Sequence, residues 1–171
     1  MISTVMFEQD IPQPKPVGAV EVEGGRVYLH PGQFAVATSA CTITTILGSC
    51  VAVGLRDAVA AIGGMNHFLL PRAHVGQASL RFGDVAIPQL IAEVCRLGAE
   101  PRRLEAVVVG GACVLDAYRD RPSHVGRQNV RIAMELLGIA GIPVVALEVE
   151  GQNGRRVVFH PHTGNLVVKV L

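Results

Sequence analysis

Residues 31–55 form an uncharged stretch, which constrains the fold more than any other feature of this sequence. A membrane-spanning helix needs about 20 predominantly apolar residues, so the length alone would admit one. The composition favours strands instead, because one proline and three glycines interrupt the stretch and six hydroxyl residues lie between Thr38 and Ser49. β-Branched residues are typical of strands. The stretch therefore predicts buried strands at residues 34–38, 42–47 and 51–55 rather than a membrane span.

The composition is that of one soluble, folded domain. The 171 residues are 50% hydrophobic and 17% charged, which allows a sizeable core. The net charge of +1 excludes the basic surface that a nucleic-acid-binding protein needs. The first residues lack the basic and apolar regions of a signal peptide, so we expect a cytoplasmic protein with reduced thiols.

Hydrophobic periodicity predicts a strand-rich α/β domain with two main helices. The helices are expected at residues 84–97 and 129–137, on either side of a buried strand. The remaining predicted strands are residues 60–68, 104–109, 144–149, 157–159 and 166–170. Alternating prolines predict that residues 1–25 are a flexible extension, so that the domain itself spans residues 26–171. The pattern favours a layered α/β sandwich over a doubly wound sheet.

Known cofactor and metal motifs do not occur in the chain. Neither GxGxxG nor GxxxxGK is present, so a nucleotide cofactor is not predicted. The four cysteines lack the close paired spacing of zinc ligands, so no metal is predicted either. Cys41, Cys95 and Cys113 are interpreted as core residues, because cysteine is among the most buried residue types.

The remaining cysteine, Cys50, has a histidine partner at the expected hairpin distance. It follows Leu47-Gly48-Ser49, and His67 lies across a predicted hairpin. Opposed residues of an antiparallel pair have a constant sum of positions, and a turn centred between residues 58 and 59 makes Cys50 and His67 opposed. Their Cβ atoms would then lie about 4.5–5.5 Å apart on one face. A register shift of one residue would place the two side chains on opposite faces of the hairpin.

Such a pair can form a cysteine nucleophile. A neighbouring imidazolium lowers the thiol pKa and creates a thiolate, and the histidine can afterwards protonate a departing amine. Thr44 or Thr45 could orient the imidazole, and backbone N–H groups at Gly48-Ser49 could stabilise an oxyanion. The alternative is that Cys50 and His67 are ordinary core residues.

Several short segments of the chain occur together in a distinctive order and spacing. They are Tyr28-Leu29-His30-Pro31-Gly32, Leu47-Gly48-Ser49-Cys50-Val51-Ala52-Val53, Gly64-Met65-Asn66-His67-Phe68-Leu69-Leu70-Pro71, Val109-Gly110-Gly111-Ala112 and Gly164-Asn165-Leu166-Val167-Val168-Lys169. Taken together, these segments resemble the chemoreceptor glutamine deamidases, the CheD family of bacterial chemotaxis. The resemblance covers about residues 27–170.

The resemblance implies both a fold and an activity. The implied fold is a single-domain α/β/α sandwich similar to the catalytic domain of cytotoxic necrotizing factor toxins. The implied activity is hydrolysis of glutamine side chains on chemoreceptor cytoplasmic domains, through a cysteine thioester and without a cofactor. The family's catalytic residues correspond to Cys50, His67 and Thr44. A CheC-type phosphatase is an implied partner.

One position departs from the family pattern. Gln128 in Gly126-Arg127-Gln128-Asn129 stands where the family often has arginine. Two other functions stay open: a mainly non-catalytic chemotaxis adaptor, or a general cysteine hydrolase or transglutaminase.

Overall fold

The computed structural model describes residues 19–115, 117, 121 and 123–171. Its ten strands are β1 (Ala19–Glu21), β2 (Gly25–Tyr28), β3 (Gln33–Ala37), β4 (Cys41–Leu47), β5 (Val51–Asp57), β6 (Ile62–His67), β7 (Leu104–Gly110), β8 (Val144–Val149), β9 (Arg155–His160) and β10 (Asn165–Val170). Helix α1 spans Gly83–Arg96, and helix α2 spans Val125–Ile139. A short 3-10 turn, Pro101–Arg103, precedes β7.

The strands form two sheets. The larger sheet has six strands in the order β1-β3-β6-β5-β7-β8, and the smaller has four in the order β10-β9-β4-β2. β5 lies between β6 and β7 and is antiparallel to both. Six of its seven residues are buried, as expected of a central strand.

The helices and the smaller sheet cover opposite faces of the larger sheet. One hydrophobic core joins α1 and α2 to the larger sheet through residues such as Leu90 and Leu137. A second core lies between the sheets and contains Ile43, Met65 and Phe159. The mixed, strand-rich α/β fold with two helices is confirmed. The layer order is helix, sheet, sheet, so the α/β/α order expected from the family resemblance is wrong for this chain.

The predicted boundaries hold for most elements and fail at two places. Residues 1–18 of the expected flexible extension lie outside the described residues. Residues 19–21 form β1, which pairs in parallel with β3, so ordered structure begins before the predicted boundary at residue 26. Helix α2 begins four residues earlier than predicted, because His124 caps it by accepting a hydrogen bond from the Arg127 N–H. No helix in the described part of the chain is long and apolar enough to span a membrane.

A buried carboxylate fixes the turn between β5 and β6. Asp57 is fully buried, and its Oδ1 accepts hydrogen bonds from the N–H groups of Val59 and Ala60. Its Oδ2 accepts from the Glu100 N–H at 2.8 Å, and the Arg103 guanidinium lies 2.9 Å away. The Arg103 guanidinium has the largest effect, and together with these N–H groups it holds the pKa of Asp57 well below its usual range. This network closes the β5–β6 hairpin on the pair Asp57–Ile62.

Candidate active site

Cys50 lies at the end of the bend that joins the two sheets. The bend at Gly48 and Ser49 leaves β4 in the smaller sheet, and β5 begins in the larger sheet directly after Cys50. The Cys50 carbonyl accepts a hydrogen bond from the Gly111 N–H, and the Gly48 carbonyl accepts one from Ala112, both at 2.8 Å. Cys50 is half-buried and packs against the core between the sheets. Its thiol is therefore held at one end of the intersheet layer.

Gly110 is required for this arrangement. A Cβ atom at Gly110 would lie 2.2 Å from the Cys50 carbonyl oxygen, and its φ of 113° is unfavourable for any L side chain. We expect Gly110→Ala to lower the free energy of unfolding by about 3 kcal/mol, because both the clash and the strained backbone must be relieved. Urea unfolding monitored by circular dichroism measures this change.

Gly138 provides the matched control for that substitution. It lies in α2, and a Cβ atom there would meet nothing within 4 Å. Gly138→Ala should raise stability by about 0.5–1 kcal/mol, because alanine has the higher helix propensity. Equal unfolding midpoints for Gly110→Ala and Gly138→Ala would contradict the required close approach.

The structure corrects the predicted hairpin register. Val51 bridges to Phe68, and Gly54 pairs with Met65, so each position lies opposite a residue two places later than predicted. The reason is the turn: Asp57 caps it, and Ala61 adopts a positive φ of 56°, which places the turn's centre one residue later. Cys50 and His67 are therefore diagonal neighbours rather than opposed residues. A shift of two keeps both on one face, with Cα atoms about 7–8 Å apart.

Thr45 orients the His67 ring. Its Oγ1 lies 2.8 Å from His67 Nδ1 and 2.9 Å from the Leu29 carbonyl oxygen. The carbonyl can only accept, so the single Thr45 hydroxyl proton is donated to Leu29. The Thr45 oxygen must then accept from His67 Nδ1–H, which assigns the proton of the neutral ring to Nδ1. Nε2, which is buried and has no hydrogen-bond partner among the described residues, carries the free lone pair.

Thr44 does not occupy the orienting position that the family resemblance implies. Side chains alternate along β4, and Ile43, Thr45 and Leu47 point into the intersheet layer. Thr44 therefore lies on the outer face of the smaller sheet, where its strand partners are Val158 and Tyr28. Of the two threonines that the sequence left open, the structure brings only Thr45 to His67.

Burial disfavours the charged form of both partners. Desolvation lowers the pKa of His67 to about 4; the Leu29 carbonyl acts in the opposite direction, and His30 adds a smaller lowering effect. Burial likewise raises the pKa of the Cys50 thiol, although the Cys50 amide opposes this by stabilising the thiolate. No hydrogen bond joins the two side chains within the described part of the chain. Both shifts favour a neutral thiol and a neutral imidazole, whereas the sequence predicted a thiolate and an imidazolium.

Two buried asparagines that the sequence analysis missed hold the surrounding backbone. Asn129 Nδ2 donates to the Ser49 and Leu69 carbonyls at 3.0 and 2.7 Å. Asn66 Oδ1 accepts from the Val53 N–H at 2.8 Å and so joins β6 to β5. The sequence did contain a signal for both residues, because Asn129 directly follows Gln128 and Asn66 directly precedes His67.

A cavity of about 460 Å³ lies beside the Cys50 bend. Ser49 lines its edge, and Val114, His124 and Gln128 form part of its wall. Neither Cys50 nor His67 lines it, so it adjoins the pair instead of enclosing it. Gln128 donates to the Ser123 carbonyl, and the neighbouring Arg127 contacts Glu150 at 3.3 Å. Gln128, the residue that departs from the family pattern, therefore lies in the cavity wall.

The other three cysteines are free thiols, and the described residues contain no cluster of possible metal ligands. Cys41 and Cys113 are buried and Cys95 is half-buried, all three as free thiols. Burial raises the pKa values of Cys41 and Cys95. Among residues 19–115, 117, 121 and 123–171, no group of three or more His, Cys, Asp or Glu side chains is arranged to hold a metal ion.

Comparison with known proteins identifies close relatives. A family model described as CheD chemotactic sensory transduction matches residues 69–170. A protein of Anaeromyxobacter dehalogenans named probable chemoreceptor glutamine deamidase CheD 1 is 50% identical over 150 residues, which is 86% of this chain and 87% of the relative. A probable chemoreceptor glutamine deamidase CheD of Rhodospirillum rubrum is 42% identical over 144 residues, covering 84% and 81% of the two chains.

One solved structure is also similar in part. The hypothetical protein YfiH of Bacillus licheniformis matches 70% of this chain and 50% of its own, with a TM-score of 0.42 and 16% identity.

Proposed function

The chain belongs to the CheD family, and we propose that it is a chemoreceptor glutamine deamidase. It would hydrolyse the side-chain amide of glutamines in chemoreceptor cytoplasmic domains to a carboxylate and release ammonia. The observation that carries this proposal is the fixed tautomer of His67, whose unprotonated Nε2 lies at the end of the ring opposite Thr45. A buried, neutral base on the same face as a cysteine is suited to activating that thiol.

The reaction begins with attack on the glutamine amide. His67 Nε2 accepts the Cys50 thiol proton as Sγ bonds to the amide carbon, and the carbonyl oxygen becomes an oxyanion. The Cys50 N–H, at the end of the Gly48–Ser49 bend, donates to that oxyanion. His67 then returns the proton to the leaving nitrogen, so that ammonia departs and a thioester remains. Proton transfer accompanies attack, because burial disfavours both a thiolate and an imidazolium before the substrate reacts.

The second half of the reaction uses the same residues. His67 Nε2 removes a proton from water as the water oxygen attacks the thioester carbon. The proton passes to the Cys50 sulfur as the C–S bond breaks, which regenerates the thiol and releases glutamate. A neutral, half-buried site accommodates the uncharged amide better than the charged product, since burial disfavours an unpaired carboxylate. This difference favours product release.

The proposal is tested on receptor fragments. The purified chain is incubated with cytoplasmic fragments of chemoreceptors, and ammonia is measured together with the mass of receptor peptides. We expect glutamine peptides to gain the mass that accompanies replacement of NH₂ by OH, in step with ammonia release. Receptor glutamines that stay unchanged with a folded protein would refute the proposal. Turnover of free glutamine or incorporation of amines would favour a general amidase or transglutaminase.

The pH dependence distinguishes a neutral pair from an ion pair. Because protonated His67 cannot accept the thiol proton, we expect kcat/KM to fall only as pH drops towards about 4 and to be half-maximal there. A thiolate–imidazolium pair would instead give a bell-shaped profile, which falls in acid as the thiolate is protonated and on the alkaline side as the imidazolium loses its proton. Initial rates between about pH 4 and 9 separate the two.

Stability must be followed over the same range. Folding lowers the pKa of His67 from 6.5 to about 4. The contribution of the neutral ring to the free energy of unfolding is therefore fully present above pH 6.5. It is lost as pH falls towards 4, by up to about 3 kcal/mol, since the unfolded chain binds the proton more readily. Circular dichroism at each pH shows whether the loss of activity precedes unfolding.

A CheC-type phosphatase is the partner that the family resemblance implies, and an adaptor role would rest on it. Under the enzymatic proposal, binding and catalysis are separable. A pull-down with purified phosphatase should capture the wild-type chain and Cys50→Ala alike. Capture by both, combined with no deamidation by the wild-type chain, would favour the adaptor.

A further inference from the structure

Asn129 connects helix α2 to the chain on both sides of the candidate pair. It is fully buried, and its Nδ2 donates both protons, one to the Ser49 carbonyl and one to the Leu69 carbonyl. Ser49 directly precedes Cys50, and Leu69 lies two residues after His67. The amide orientation follows from these partners, because only the NH₂ group can donate to two carbonyl oxygens. One side chain thus fixes the backbone next to both reacting residues.

Helix α2 holds Asn129 rigidly in this place. A Cβ atom at Gly126 would lie 2.5 Å from the Gly111 carbonyl oxygen, so the first turn of the helix lies directly against the segment after β7. His124 caps the same turn. Val130, next to Asn129, is buried in the core beneath the helix. Asn129 therefore has little freedom to follow the bend if the bend moves.

The bond to Ser49 sets the direction of the Cys50 N–H. In a trans peptide the C=O of one residue and the N–H of the next point in opposite directions. Asn129 holds the Ser49 carbonyl towards α2, so the Cys50 N–H points away from the helix layer. The Cys50 side chain packs on that opposite side, against the intersheet core.

The Cys50 N–H is available as an oxyanion donor. Within the described residues it has no backbone acceptor, whereas the Cys50 carbonyl is used by Gly111. We infer that Asn129 is a positioning residue that aims the Cys50 N–H at the developing oxyanion. This inference rests on the proposed function. It assigns a task to a helix residue that touches neither the substrate nor the reacting atoms.

Two measurements on Asn129→Ala separate this task from general support of the fold. Deamidation forms an oxyanion, whereas alkylation of Cys50 by iodoacetamide does not. We expect kcat for receptor deamidation to fall about 10- to 100-fold, less than or similar to the loss of a direct oxyanion donor. KM should change little, and the rate of Cys50 alkylation should stay within about twofold, because the thiol itself is not displaced.

Leu137→Ala is the matched control. Leu137 is fully buried in α2 but contacts the core rather than the bend. Its truncation should lower the unfolding midpoint and leave kcat unchanged at temperatures where the protein is folded. If Asn129→Ala does not fold, Asn129→Ser is measured in its place, since its hydroxyl can supply at most one of the two bonds.

The outcomes are distinct. A wild-type chain that does not deamidate receptor fragments refutes the proposed function before any variant is compared. With an active wild type, an unchanged kcat in the folded Asn129 variant overturns the positioning role. Equal losses of kcat and alkylation rate also overturn it, because they would show that Asn129 only holds the cysteine in place.

Discussion

We expect the Cys50→Ala variant to lose receptor deamidation by a factor on the order of 10⁴ or more, because alanine cannot form the thioester. The expected loss exceeds that of the Asn129 and Thr45 variants. Ammonia release and receptor peptide mass measure it over long incubations. The fold should be retained, since Cys50 is only half-buried and the bend is held by its backbone bonds.

Cys95→Ala is the control for this loss. Cys95 is also half-buried, but it lies in α1 beside the core under the helices. It should keep wild-type activity within about twofold. Residual activity of Cys50→Ala near the wild-type rate would disprove the nucleophile, and loss of activity in Cys95→Ala alone would point to a different thiol.

The second large effect is expected from Thr45→Val. This change keeps the side-chain shape but leaves the Leu29 carbonyl and the His67 Nδ1–H without their buried partner. The free energy of unfolding should fall by about 1–3 kcal/mol. kcat should fall about 10²-fold or more, since the ring can then adopt the other tautomer, which carries its proton on Nε2. Steady-state rates under folded conditions measure the catalytic part.

Thr44 and a serine variant provide the comparisons. Thr45→Ser retains the hydroxyl and should recover most of the activity. Thr44→Val removes a hydroxyl from the outer face of the smaller sheet and should leave kcat within about twofold. The reverse result, with Thr44→Val inactive and Thr45→Val active, would support the threonine that the family resemblance implies and contradict the geometry described above.

Local sequence patterns were sufficient for most of the fold. The strand and helix positions follow from apolar periodicity and from glycine and proline signals, which act over a few residues. The same reasoning placed Cys50 and His67 on one face of a hairpin. That part survived the register error because a shift of two positions preserves the side-chain alternation. Family resemblance, also a property of the sequence, indicated the activity.

The register itself required contacts from outside the hairpin. Asp57 caps the β5–β6 turn only because Arg103 and the Glu100 N–H neutralise and bind it, and these groups lie more than 40 residues further along the chain. Without this support a buried carboxylate would be costly. The sequence of the turn alone therefore predicted a centre one residue too early.

Local patterns in the sequence predicted the strands, the two helices, the placement of Cys50 and His67 on one face, and the family. The layer order, the contact of His67 with Thr45 instead of Thr44, and the hydrogen bond from Asn129 to a carbonyl 80 residues away emerge from the packing of distant elements. These two sets of features differ because they depend on interactions over different distances along the chain. Side-chain alternation is a local property, whereas the face of a strand that becomes buried depends on which other element packs against it. Because the smaller sheet packs against the larger one, the inward face of β4 is buried, and Thr45 on that face contacts His67.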